Sequence, residues 1–200
     1  MENSIESLQQ LVNSLAKLPN MGQRSARRIA LHLLENRSVL DNIIVTLQDA
    51  AREIRNCEVC GNIDSRSPCS ICSSSDRDQS AVCIVENISN LWAMERSQVF
   101  RGKYHVLGGM LSAFHEITPN KLGMRKLLSR IQEDGVTEII LGISATLDGQ
   151  TTSYYITDSI IAKYPHVIIS RLAFGIPIGA ELEYMDEGTL GIALKLRQGI

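Results

Sequence analysis

The sequence predicts an α/β fold with an all-α N-terminal part, a cysteine-stapled middle segment, a mostly parallel sheet with flanking helices, and a C-terminal strand and helix extension. Three observations predict it: helical apolar periodicity over the first 55 residues, two Cys-x-x-Cys pairs in a stretch poor in large apolar groups, and short apolar strands alternating with helices from residue 81 onward. The 200 residues are 44% hydrophobic and 21% charged, enough apolar mass for one large or two small domains. That composition excludes disorder, collagen and coiled coil. The formal net charge of −2 does not announce a nucleic-acid binder, so any affinity for DNA has to come from a local cluster.

The elements follow in order. Ile5, Leu8, Leu11, Val12 and Leu15 recur at three- and four-residue steps and give a first amphipathic helix. Leu18-Pro19-Asn20-Met21-Gly22 interrupts it; residues 23–34 resume with Ala26, Ile29, Ala30, Leu33 and Leu34 as the apolar face, and 39–54 give a third helix. Residues 56–80, rich in Ser, Asp and Cys, cannot bury a core of their own and must be ordered by something else. Beyond them the pattern predicts strands at 81–85, 104–107, 137–141 and 167–169, alternating with helices at 87–96, 119–133 and 151–164. A short strand around Leu182 and Tyr184 and a helix from Thr189 complete the chain. No apolar run approaches the ~18 residues of a membrane span. The acidic, polar start MENSIESLQQ lacks a secretory pattern, so a cytoplasmic protein is expected.

Five cysteines without a signal segment point to metal or redox chemistry rather than a disulfide framework. Cys57-x-x-Cys60 and Cys69-x-x-Cys72 are two knuckles eight residues apart, each able to bring two thiolates to one ion from a tight turn. Gly61 lets the backbone curl after the first pair, and Pro68 stiffens entry to the second. The rival, a redox dithiol, needs one such pair at a helix N-terminus, not two in a coreless loop. One structural Zn²⁺ per chain, with no open position for catalysis, is the expectation. Cys83, within Ala81-Val82-Cys83-Ile84-Val85, reads as a small buried hydrophobe.

Around the first interruption, Arg24, Arg27 and Arg28 fall within five residues, beside Gly22 and Lys17. A tight hairpin turns backbone N–H groups and a helix N-terminus toward solvent, where they hold phosphate oxygens without reading bases. Arg24 and Arg28, four apart, share a face and reach the same backbone. The bland reading is an ordinary turn with a solvated basic face. Non-specific DNA contact is the sharper one.

Glu86 stands at the C-terminal end of the strand 81–85, and Asp148 follows the strand that ends near Leu141, where open α/β folds carry their sites. Two acids there could hold Mg²⁺, but phosphoryl chemistry collects more carboxylate, and Gln150 is neutral where a third acid would help. No G-x-x-x-x-G-K-[ST], H-E-x-x-H or G-x-S-x-G is present, and His32, His105, His115 and His166 are scattered. Trp92 reads as a packing residue.

Taken in order, LPNMGQRSARRIALHLL (18–34), CEVCGN with CSIC, VCIVEN (82–87), ATLDG (145–149) and RLAFGIPIGAELEYMDEGTL (171–190) resemble the RecR family of bacterial recombination mediators over nearly the whole chain. The resemblance implies a helix-hairpin-helix DNA-binding domain (1–55), a four-cysteine zinc finger (56–79), a Toprim domain (80–175) and a C-terminal oligomerisation segment (176–200). It implies a non-enzymatic, ring-like DNA clamp that acts with RecO and RecF to load RecA onto gapped single strands coated by single-strand-binding protein. Family members assemble as dimers and tetramers, exchanging N-terminal helices and C-terminal segments, in the cytoplasm at the nucleoid. Arg24 and Arg28 fall on the family's basic hairpin positions, and Glu86 and Asp148 on the Toprim acids, which resemble contacts for RecO more than metal ligands. The alternative of a different class is a Mg²⁺-dependent nuclease or primase-like enzyme. Four positions depart from the family pattern: Asn20 where Gly is usual, Asp148 and Gln150 where Glu is commoner, and Phe174 where His is frequent.

Overall fold

The computed structural model describes residues 2–112 and 117–199, and of residues 2–5 the backbone alone. His115 and the side chain of Ile5 therefore lie outside the described residues. The chain forms two compact units, Met1–Ile54 and Arg55–Ile200.

The first unit is three helices: α1 (Glu2–Leu15), α2 (Gln23–Glu35) and α3 (Arg37–Glu53). Val12 of α1 packs on Ala26 and Ala30 of α2, with Leu8, Leu11 and Leu15 around them. Two alanines at that seam let the helix backbones approach closely, which explains the small residues inside an otherwise basic stretch. α3 follows its predicted periodicity yet buries no residue; Val39, Ile43, Ile44 and Leu47 are all exposed.

In the second unit, β1 (Arg55–Asn56) pairs antiparallel with β2 (Ile63–Asp64), and a single turn, α4 (Ser70–Ser73), follows. β3 (Ala81–Val85), α5 (Ile88–Arg96), β4 (Lys103–Val106), α6 (Met124–Glu133), β5 (Glu138–Gly142), α7 (Leu147–Ile161) and β6 (Ile168–Arg171) build a four-stranded parallel sheet in the order β4-β3-β5-β6. β3 is buried along its whole length because both its faces are covered. Val82 and Ile84 join Leu127, Ile131, Ile156 and Ile160 from α6 and α7 in one core. Cys83 and Val85 face the other way, into a second core with Leu91 of α5, Tyr104 of β4, and Cys57, Cys60, Cys69 and Ile71. The cysteine segment is thus not a free-standing loop but one wall of the sheet's second core.

Four details depart from expectation. The helix expected over 119–133 is split: a 3-10 turn, Pro119–Lys121, precedes α6, and Gly123 lies between them because a side chain there would meet His105 Nε2 at 3.0 Å. α7 starts at Leu147, earlier than expected, since Thr146 caps it by accepting the Gly149 N–H. The strand expected at Leu182 and Tyr184 is a 3-10 turn, Leu182–Tyr184; its alternation of acids and apolar groups has no partner strand among the described residues. The closing helix, α8 (Glu187–Lys195), buries none of its residues. Trp92, read as a packing residue, is 52% exposed.

His105 is enclosed beside the start of α6 and directs Nε2 at the Gly123 carbonyl, 3.1 Å away, so that nitrogen carries the proton; Nδ1 has no hydrogen-bond partner among the described residues. Burial, with Arg130 and Lys126 nearby and only partly offset by the Gly123 bond, lowers its pKa to about 4 from 6.5. Between these values the unfolded chain binds more protons than the folded one, so stability is intact above pH 6.5 and falls as pH drops toward 4. The expected loss is about 3 kcal/mol at 1.36 kcal/mol per pKa unit. Urea melts from pH 7 to 4 should show this slope flattened in His105→Gln; an unchanged slope would place the acid sensitivity elsewhere.

Candidate zinc centre and nucleic-acid interface

The four sulfurs of Cys57, Cys60, Cys69 and Cys72 all lie within 4.8 Å of one another, and Cys60 Sγ is 3.6 Å from Cys69 Sγ. Four Zn–S bonds of ~2.3 Å at tetrahedral angles require sulfurs about 3.8 Å apart. The donor set therefore fits one Zn²⁺ closed on all four sides. Among the described residues this is the one group of three or more His, Cys, Asp or Glu side chains arranged to hold a metal.

Local hydrogen bonds shape the first knuckle. The Gly61 N–H donates to the Cys57 carbonyl at 2.9 Å and the Cys57 N–H to the Asn62 carbonyl at 2.6 Å; Gly61 takes a φ of 78°, open to glycine at little cost. The Asn62 N–H reaches Cys60 Sγ at 3.5 Å, and the Cys69 N–H reaches Cys57 Sγ at 3.3 Å. Burial raises the Cys57 pKa, but backbone N–H groups, led by that of Cys69, bring it down to about 7. Cys60 moves the opposite way, raised by its hydrogen bond to Cys72 and by burial. A compact set of thiols cannot all ionise without a cation, and Zn²⁺ supplies the charge that lets them.

The sequence reading missed two residues that support this centre. Lys103 is 1% exposed and its ammonium donates to the carbonyls of Ile71 (3.0 Å), Cys72 (2.7 Å) and Ser74 (2.9 Å), locking the second knuckle to β4. No sequence signal marks it, because a lysine at the head of a strand ordinarily points to solvent. Asp64 accepts the N–H and hydroxyl of Ser70 at 2.7 and 2.8 Å, and these bonds, the backbone one first, hold its pKa at about 2. From the sheet side, Val106 donates its N–H to the Cys60 carbonyl at 2.8 Å.

The hairpin of the first unit carries the cations. Asn20 sits at φ 60°, in the left-handed region that asparagine tolerates better than most residues other than glycine. The Met21 N–H closes the turn on the Leu18 carbonyl at 3.1 Å, and Gly22 caps α2 in extended conformation. A side chain at Gly22 would meet nothing within 4 Å, so packing does not demand glycine; the exposed helix start does leave an anion room for close approach. Lys17, Arg24, Arg27 and Arg28 are exposed, and none has an ion-pair partner among the described residues. α2 has no acid in its first turn to neutralise them. Arg28 borders an open hollow of about 670 Å³ with Ser25, Leu31 and His32.

Glu86 follows β3 and Asp148 occupies the first turn of α7, beyond β5; these strands are neighbours, so both acids stand at one edge of the sheet. Ser144 donates its hydroxyl to Glu86 at 3.5 Å. Gly149 is required by packing, since a side chain there would lie 2.0 Å from the Ser144 carbonyl.

Family models match along the chain: the RecR helix-hairpin-helix at residues 8–51, the RecR four-cysteine zinc finger domain at 54–74, the Toprim domain at 80–173 and the RecR C-terminal segment at 175–198. The recombination protein RecR of Rhodospirillum rubrum is 46% identical over 198 residues, covering 98% of this chain and 100% of that protein. The chain belongs to the RecR family. Its RecR relatives in Hyphomonas neptunium (46% identical, 96% of each chain) and Ehrlichia canis (48% identical, 95% of this chain and 97% of that one) match over the same extent. The four sulfurs of this RecR-family chain form its four-cysteine zinc finger, positioned for one structural Zn²⁺. No helix among the described residues is long and apolar enough to cross a membrane.

Proposed function

We propose that this chain is a recombination mediator in DNA repair: a non-enzymatic, ring-like clamp that acts with RecO and RecF to load RecA onto gapped single strands coated by single-strand-binding protein. The observation that carries the reading is the unpaired basic hairpin of an otherwise net-acidic chain of this family. Arg24 and Arg28, with Arg27, Lys17 and the N–H groups after Gly22, hold phosphates without sequence preference. Few phosphates are neutralised by one subunit, so single chains bind weakly and a closed ring binds by avidity. Two features support assembly into a homodimer or homotetramer: the bare apolar face of α3, and a C-terminal segment that exposes Ile178, Leu182, Tyr184 and Leu194. Glu86 and Asp148 serve as acidic contacts for RecO. Action at the nucleoid in the cytoplasm follows from the DNA substrate.

The test is electrophoretic binding to gapped duplex, alone and with RecO, alongside mass in solution. A multimer whose DNA complex strengthens with RecO, and loses that gain in Glu86→Ala with Asp148→Ala, is the expected result. A monomer that binds DNA equally well without partner would overturn the clamp. Mg²⁺-dependent cleavage or strand joining that disappears in Glu86→Ala would establish the enzymatic alternative instead.

A further inference from the structure

Trp92 is the chain's single tryptophan, and the fold leaves it 52% exposed on α5 while fixing its orientation. Its Nε1–H donates to Asn62 Oδ1 at 3.2 Å. Asn62 is itself 4% exposed and held in the first knuckle, its carbonyl accepting from Cys57 N–H and its N–H reaching Cys60 Sγ. The zinc loop thus grips the polar edge of the indole. With its one donor engaged, the ring has only π surface to offer a ligand.

The neighbours on that helix face say what kind of ligand fits. Ser89, one turn before, is exposed and small and leaves the ring clear, and Ile88, the apolar residue on the same face, is half-buried, so the exposed surface around the ring lacks the broad apolar rim of a protein-binding hot spot. Arg96, one turn (~5.4 Å) further along, is exposed and has no ion-pair partner among the described residues. Glu95, the acid beside it, is turned away into an ion pair with Arg77. A flat, immobilised aromatic with an uncommitted guanidinium one turn away matches the repeat of a single strand, base then phosphate.

We propose that Trp92 is a stacking platform for an unpaired base of single-stranded DNA, positioned by Asn62 and the zinc loop, with Arg96 on the adjoining phosphate. The inference deepens the proposed function and rests on it: the hairpin holds backbone of any form, and Trp92 distinguishes single strand from duplex.

The single tryptophan makes the test direct. The zinc-loaded protein is titrated at low salt with an oligo-dT strand while indole emission is followed, and with a dye-labelled copy read by anisotropy. Emission should be quenched saturably in step with the anisotropy, whereas a duplex of equal length should raise anisotropy and leave emission unchanged. Trp92→Ala should weaken single-strand binding about tenfold, with duplex binding and zinc content unaltered; Trp92→Phe, which loses the same Asn62 bond but keeps an aromatic ring, should retain most of the affinity. Normal single-strand binding with unchanged emission and an indifferent Trp92→Ala would overturn this inference and leave the proposed function standing. Absence of binding to either DNA would overturn both. Emission that ignores DNA but shifts when the protein is diluted would make Trp92 a subunit contact and overturn the platform.

Discussion

Replacing Arg24 and Arg28 together by alanine is expected to lower DNA affinity about a hundredfold or more while leaving the melting transition in place. Both side chains are exposed, and the packing of α2 on α1 runs through Ala26 and Ala30 on the opposite face. Stability therefore has nothing to lose. A hydrogen bond to a charged group contributes roughly 1.5–3 kcal/mol, and two lost together reach about 3–6 kcal/mol for a single subunit. In a ring the deficit repeats at every subunit. Each phosphate contact removed should also flatten the dependence of log affinity on log salt by about 0.9. Anisotropy titrations at several salt concentrations check both statements. Arg52→Ala, which removes a cation already paired with Asp49 in the same unit, serves as the control and should stay within about twofold of the wild type. A double variant that binds as tightly as the wild type would move the DNA surface off the hairpin.

Cys60→Ser should abolish zinc retention and destabilise the second unit by about 4–5 kcal/mol, a shift of more than ~10 °C in melting temperature. The effect extends beyond the finger because Cys57, Cys60 and Cys69 share a core with Cys83, Val85, Leu91 and Tyr104. Losing the metal exposes one face of β3 and leaves the Lys103 ammonium without fixed carbonyls. Removing zinc from the wild type with a chelator should reproduce the variant. Acid should do so as well: protons compete with Zn²⁺ for the thiolates, so retention is complete at neutral pH and declines as pH falls. Metal analysis with calorimetry at each pH reads the result. A Cys60→Ser protein that melts like the wild type would show that burial alone orders residues 55–74.

The central strand β3 was legible because a buried parallel strand is a continuous apolar run, and AVCIV is one of strand length rich in β-branched residues. The hairpin was legible through Pro19, Asn20 and Gly22, and Asn20 takes a left-handed φ that asparagine tolerates better than most residues. Leu182 and Tyr184 misled because alternation describes a half-buried strand only when a neighbouring strand accepts its hydrogen bonds. Trp92 misled for a related reason. Tryptophan is usually covered by its own chain, and whether it is depends on the far side of the helix, which Leu91 occupies here.

Spacing along the chain by itself determined the four zinc ligands, the turn that carries Arg24 and Arg28, and the place of Glu86 just after a strand, because each depends on residues within a few positions of one another or on a strand's C-terminal edge. Only the tertiary structure decided that the zinc loop is a wall of the sheet's core, that Lys103 is buried on its carbonyls, and that Asn62 holds the indole of Trp92. Those contacts join residues about thirty positions apart. No local pattern encodes them: they exist because β3 is covered on both faces and the cysteine loop is what covers one of them.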